Sequence, residues 1–113
     1  MEKEFTPVAD AGALEELFER SRREPVLIFK HSTACPISAA AHGQMRQLGR
    51  EVPIVVVQQS RDLSREVETR TGVRHESPQA LVIRDGQVVW SATHFDVTAD
   101  AVRRALEEAG GKG

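Results

Sequence analysis

Along the chain, short unbroken apolar runs alternate with stretches in which apolar residues return every three or four positions. Ala13, Leu14, Leu17 and Phe18 recur at helical spacing behind Asp10, a good N-cap residue, so a first helix is predicted over Ala11 to Arg23, with Pro25 forcing its end. Val26-Leu27-Ile28-Phe29 is a continuous apolar run of the kind a strand covered on both faces shows, and it reads as a central parallel strand over Val26 to Lys30. A polar loop, His31-Ser32-Thr33-Ala34, follows. Pro36 then opens a helix whose Ile37, Ala40, Ala41, Met45 and Leu48 mark one face, with Gly49 as its stop. Pro53 to Val57 reads as a second buried strand. Ser60 caps a more polar helix with Leu63 and Val67 inward, closed by Gly72. Ala80 to Arg84 and Gln87 to Thr93 read as strands joined by Asp85-Gly86, a strong hairpin signal. Thr98 caps a last helix with Val102, Ala105, Leu106 and Ala109 inward, ended by Gly110-Gly111 ahead of a frayed Lys112-Gly113.

A parallel β-α-β unit followed by a helix, a hairpin and a final helix is the order of the thioredoxin fold. The expected class is α/β, a central mixed sheet of four to five strands flanked by about four helices, with Glu4 to Val8 as the candidate additional strand. At 113 residues and 40% hydrophobic composition, the chain fits a single domain, residues 1–113, able to bury a core without metal or disulfide staples. In open α/β sheets ligands bind beyond the C-terminal ends of the strands. The loop after the central strand opens there, and it leads to the only cysteine, Cys35.

Charge and composition narrow the partners. The net charge is −2, and basic residues are interspersed with acids, so no nucleic-acid footprint is seen. The start, MEKEFTPV, has no apolar leader, and the run Val52 to Val57 is far shorter than a membrane span, so a cytoplasmic protein without membrane attachment is expected. A single cysteine cannot form an internal disulfide. Its oxidation must recruit a second molecule, whether a small thiol, a client protein or another copy.

Pro at the first helical position makes Cys35 the N-cap, so its sulfur replaces a capping oxygen. The free N–H groups of Ile37 and Ser38 and the positive end of the helix dipole are then expected to favour thiolate, the nucleophilic form. A dipole alone supplies at most about 2 kcal/mol, so direct hydrogen bonds are needed as well, and Ser38 is the obvious further donor. At i+3 it also occupies the place where dithiol thioredoxins carry a resolving cysteine. Serine there cannot attack a mixed disulfide. From residue type alone Cys35 would be a small buried hydrophobe; its position between a strand, a polar loop and a Pro-started helix points instead to a reactive thiol.

His31 to Ala40 (HSTACPISAA) and His75 to Ile83 (HESPQALVI), with Val55 to Ser64 (VVVQQSRDLS) and the Trp90-x-x-x-His94 segment, resemble the monothiol bacilliredoxins, thioredoxin-like redox-active proteins of the bacillithiol system with a Thr-Cys-Pro-Ile-Ser motif. The likeness spans nearly the whole chain. Ala34 departs from it, standing where the motif has threonine, although Thr33 lies one place earlier. The resemblance implies that Cys35 removes bacillithiol from client proteins, with bacillithiol as cosubstrate, no bound cofactor, and a low-molecular-weight thiol or a reductase to regenerate the cysteine. To Pro36, Ile37 and Ser38, which helix geometry already names as supports of Cys35, the resemblance adds Pro78, after Ser77, as a cis-proline beside the nucleophile. Only about one X-Pro bond in twenty is cis in folded proteins, so family topology carries that expectation.

Other polar residues are candidates for smaller parts. Lys30, His31, Thr33 and Ser77 could line a ligand groove, with Lys30 and His31 adding positive charge near sulfur or binding a carboxylate of the thiol ligand. His42 could approach the site but reads better as a surface or packing residue, His75 and Glu76 border the Pro78 loop, and His94 could cap polar groups. Cys35 and the four histidines show no paired zinc spacing, so no metal site is assigned. Trp90 and the four phenylalanines fall in core segments and read as packing. Two further readings stay open: monothiol reduction of another substrate, and a non-catalytic redox sensor or adaptor in which Cys35 records oxidation.

Overall fold

In the computed structural model, which describes residues Phe5–Gly111, five strands lie in the spatial order β1 (Phe5–Pro7), β3 (Val52–Val56), β2 (Val26–His31), β4 (Gln79–Arg84) and β5 (Gln87–Thr93). β3 runs parallel to both β1 and β2, whereas β4 is antiparallel to β2 and to β5. The mixed sheet and the central place of Val26 to Lys30 are as expected. Glu4, assigned to the first strand, and Lys112-Gly113 lie outside the described residues.

Four helices cover the sheet: α1 (Ala11–Arg20), α2 (Pro36–Arg46), α3 (Arg61–Thr71) and α4 (Ala99–Gly111). Period-two alternation divides the strands between two cores. Leu27 and Phe29 of β2 join Ala41 and Met45 of α2 and Val102, Ala105 and Leu106 of α4, whereas Val26 and Ile28 join Leu14, Leu17 and Phe18 of α1 and Leu63 and Val67 of α3. Arg70 stacks over the Phe18 ring at 4.0 Å and pairs with Glu15, fixing α3 to α1.

Several predicted boundaries move, each for a physical reason. α1 stops at Arg20, not Arg23, because Ser21 turns away to serve the hairpin: its carbonyl accepts from Asp85 N–H at 2.7 Å and its hydroxyl from Gly86 N–H at 2.9 Å, while that hydroxyl donates to the Phe18 carbonyl. Asp85 and Gly86 both have positive φ, 55° and 77°, as a two-residue turn of this hand requires. β2 runs on through His31, which sequence reading put in the loop. In α2 the row Ser38, Ala41, Met45 faces the core, so Ala40 is exposed, and the helix ends at Arg46, three residues before Gly49. α4 continues through Gly110 and Gly111; Gly110 lies so close to Pro25 that a Cβ there would come within 3.0 Å of the ring. Phe95 is not core: it is 72% exposed on a short 3-10 turn, His94–Asp96.

The Ser21 hydroxyl is a buried link between α1 and the β4-β5 turn. Ser21→Ala leaves Gly86 N–H without its partner and is expected to cost about 2 kcal/mol. A urea titration should show a lower midpoint at an unchanged m-value. An unshifted midpoint would refute the link.

Candidate functional site

β2 ends beside the start of β4, Lys30 pairing across the ladder with Gln79. The segment leaving β2 and the segment entering β4 therefore share one edge of the sheet. The first carries Cys35, half-buried, as N-cap of α2 with extended backbone (φ −114°, ψ 124°) and Pro36 at N1. The second carries the Ser77-Pro78 bond, which is cis. His94 N–H donates to the Pro78 carbonyl at 3.0 Å, so the backbone of His94 ties the end of β5 to this turn.

Ser38 lies where helical spacing puts it, one turn after Cys35, but it does not serve the sulfur. It is wholly buried, and its hydroxyl accepts from Ser32 N–H at 2.9 Å and lies 3.0 Å from His31 Nδ1. Nor does the Cys35 side chain take a capping hydrogen bond from the first turn, so the expected bonds from Ile37 and Ser38 N–H to sulfur are not made. Ser38 instead holds the loop against the end of β2. Ile37 is half-buried and Pro36 exposed.

Gln58, just beyond β3, braces the same loop from the other side. Its Oε1 accepts from Thr33 N–H at 3.2 Å and its Nε2 donates to Ser32 Oγ at 2.8 Å. Sequence reading did not single it out, because its role depends on the parallel register that sets Val56 beside His31 and so delivers Gln58 to the loop after β2. Thr33 itself is exposed, held by its backbone rather than its side chain.

Lys30 corrects a second expectation. It was expected to line a ligand groove, yet no part of it is exposed: it points to the α3 face in phase with Val26 and Ile28. Its Nζ lies 3.0 Å from His75 Nδ1, which Ser64 Oγ also approaches at 3.1 Å. Burial pushes the Lys30 ammonium down to about 8, with Glu68 opposing. His75 is pushed down by desolvation and then by the Lys30 charge, against the pull of Glu68 and Glu76. Because an ammonium has only donors, His75 Nδ1 must accept, which fixes the neutral ring as its Nε2–H tautomer. Gln79 donates to the Arg74 carbonyl at 2.9 Å, while its Oε1 and the Ser77 hydroxyl are buried without partners among the described residues. The Ser77 hydroxyl thus does not line a groove.

On the opposite face His31 meets His42, ring centroids 4.8 Å apart, and His42 stacks on Phe5 at 4.1 Å. Burial holds the His31 imidazole below its ordinary range, the neighbouring His42 adds to this, and a hydrogen bond to the Ser38 backbone opposes it. His42 thus packs between Phe5 and His31. Glu76 lies 3.9 Å from His94. Among the described residues no three His, Cys, Asp or Glu side chains gather to hold a metal ion, and no helix is long and apolar enough to cross a membrane.

A family model described as monothiol bacilliredoxin BrxC matches residues 6–102. Among solved structures, the chain is similar to a candidate oxidoreductase with a thioredoxin fold, at 32% identity and a TM-score of 0.83, covering 90% of this chain and 93% of that one. Thioredoxin from Fasciola hepatica matches at 16% identity and a TM-score of 0.71, covering 91% and 97% of the two chains. A point mutant of thioredoxin from Halobacterium salinarum matches at 19% identity and 0.74, covering 95% and 91%. The last two speak for the fold alone, and that fold is the thioredoxin fold.

The buried ammonium makes stability depend on pH with a definite sign. The folded-state pKa of Lys30, about 8, lies below its ordinary value of 10.5, so between the two the unfolded chain binds more protons and stability rises with pH. In urea titrations from pH 7 to pH 10, the wild type should gain on Lys30→Met across this window. Parallel curves would show that Lys30 does not titrate there. On the acid side, the lowered His31 and His75 predict stability lost as pH falls below about 6.5, with a shallower loss in His31→Gln/His75→Gln.

Proposed function

The chain belongs to the monothiol bacilliredoxin family, and from that premise we propose that it removes bacillithiol from protein mixed disulfides through Cys35. Thiol redox chemistry is what the family and the thioredoxin-fold relative have in common. One observation supports the finer reading: the only cysteine, half-buried, caps a helix beyond the central strand, while the next turn carries a wholly buried serine instead of a second thiol.

The Cys35 thiolate attacks the bacillithiol sulfur of the client's mixed disulfide. A new disulfide forms between Cys35 and bacillithiol, the old one breaks, and the electron pair leaves with the client sulfur as thiolate. Ser38 cannot attack the adduct, so a second bacillithiol thiolate attacks the bacillithiol sulfur on Cys35, leaving bacillithiol disulfide and the regenerated Cys35 thiolate. Pro36 supports the step by starting α2 directly after Cys35, Ile37 continues the first turn half-buried, and Ser38 fixes the loop. The backbone flanking Pro78 offers the client's extended chain a partner. Bacillithiolated cytoplasmic proteins are the proposed clients, bacillithiol is a cosubstrate and not a bound cofactor, and neither nucleic acid nor membrane takes part.

Intact-mass spectrometry after mixing the protein with a bacillithiolated client peptide tests this. The wild type should gain one bacillithiol as the peptide loses it, Cys35→Ala should gain none, and free bacillithiol should drive many turnovers per protein. A peptide that stays modified in the presence of reduced Cys35 would overturn the proposal. An adduct that forms once and resists free bacillithiol would replace a catalyst with a sensor.

A further inference from the structure

A groove of about 380 Å³ lies against α3 on the sheet face opposite α2, bounded by Gln58, Arg61, Ser64, Arg65, Glu68 and His75. Its volume suits a small molecule rather than a protein segment. The lining is basic on balance. Arg61, Arg65 and Glu68, at i, i+4 and i+7, form one row along α3, so the groove carries two guanidinium groups and a single carboxylate. Arg61 has no ion pair among the described residues, and Arg65 has only the exposed Asp62, 3.7 Å away.

Two built features distinguish this groove from a chance depression. The first is the polar group at its wall. Lys30, wholly buried, presents its ammonium to His75 Nδ1, and Ser64 approaches the same nitrogen. A buried positive charge lies directly behind the groove, and the ring it touches keeps its Nε2–H as a spare donor. The second is the link to the thiol. Gln58, which lines the groove, bonds Ser32 Oγ and Thr33 N–H, two and three residues before Cys35. A neighbouring groove that shares Gln58 and Arg61 carries Asp10, Asp62 and Glu66 and is acidic on balance, so an anion held by Arg61 is favoured on the Arg65 side.

Building on the proposed function, we infer that the Arg61–Arg65–His75 groove is the subsite for the carboxylate-bearing end of the low-molecular-weight thiol whose sulfur reacts at Cys35. Guanidinium groups match carboxylates with paired, charge-assisted hydrogen bonds, and two of them on one helix side suit a ligand with two carboxylates, as bacillithiol's malyl group has. The ligand spans from the sulfur at Cys35, past Gln58, to the arginines. The subsite selects among thiols by what they carry beyond the sulfur.

The test compares a peptide bacillithiolated on its cysteine with the same peptide capped by 2-mercaptoethanol, a neutral thiol. In Arg61→Gln/Arg65→Gln the ratio of kcat/KM for the two peptides should fall about tenfold, because the variant loses recognition that only one cap can use. A ratio equal to the wild type's overturns the subsite. An independent reading uses Cys35→Ala, which cannot react, titrated by NMR with the thiol-free malyl-glucosamine portion of bacillithiol. Shifts gathered at Arg61, Ser64, Arg65 and His75 support the subsite, and shifts elsewhere or none overturn it. If the wild type leaves the bacillithiolated peptide untouched while this probe still shifts those residues, the proposed function falls and the subsite stands. If neither responds, both fall.

Discussion

The central strand Val26–His31 is covered on both faces, and it runs two residues past its apolar run. That overrun is the constraint on which the edge of the sheet is organised. Lys30 and His31 leave the strand on opposite faces, at a level where neither is free to reach bulk water fully, and an unpaired polar group there would cost several kcal/mol. Each therefore gathers a polar cluster. On the α3 face Lys30 meets His75 and, behind it, Ser64. On the α2 face His31 meets Ser38, with His42 alongside. The two clusters are also fasteners. Through His75, Lys30 holds the segment that leads into Ser77-Pro78, and through Ser38, His31 holds the start of the helix that Cys35 caps. Burying an ammonium is expensive, as its lowered pKa records, and the cost accompanies the placing of both loops at one edge.

The architecture was largely legible in the sequence because it rests on strong local signals. Asp10 accepts from Ala13 N–H as a capping residue should, Asp85-Gly86 makes the hairpin turn, and Gly72 closes α3 with φ 74°. Thr98 caps α4 through its hydroxyl. Where sequence reading failed, a tertiary partner overrode a local rule. Ser21 abandons α1 for the hairpin turn, and Gly110 is held in the helix close to Pro25. Lys30 is the instructive case: its two-residue phase with Val26 and Ile28 already placed it on a buried face, yet residue type argued for solvent. The phase was the better guide.

The site was legible to a lesser degree. Cys35 as N-cap followed from Pro36, but which groups the thiol would meet did not, because hydrogen bonds of the loop are decided across the sheet. Ser38 seemed available to sulfur from helical spacing alone. The structure uses it for Ser32 and His31, and Gln58, from the turn after a neighbouring strand, supplies the second brace. A residue that acts through parallel register gives no signal within its own stretch of sequence.

This use of Ser38 bears on why the chemistry involves one thiol. In a dithiol site the residue one turn after the nucleophile carries the thiol that attacks the mixed disulfide. Here that residue is wholly buried, with its oxygen committed to the loop. The position is thus closed to resolution twice over, by the poor nucleophilicity of a hydroxyl and by its structural engagement. Resolution then has to come from a second molecule, which must bring its sulfur in line with the adduct while the protein supplies none of the reacting groups. A tethered resolving thiol is positioned by the chain itself, whereas an external one is positioned only by whatever else it carries. A monothiol site therefore gains from binding determinants beyond sulfur. The groove that Gln58 shares with Arg61 and Arg65 is where this fold offers guanidinium groups for that purpose, beside the brace of the Cys35 loop.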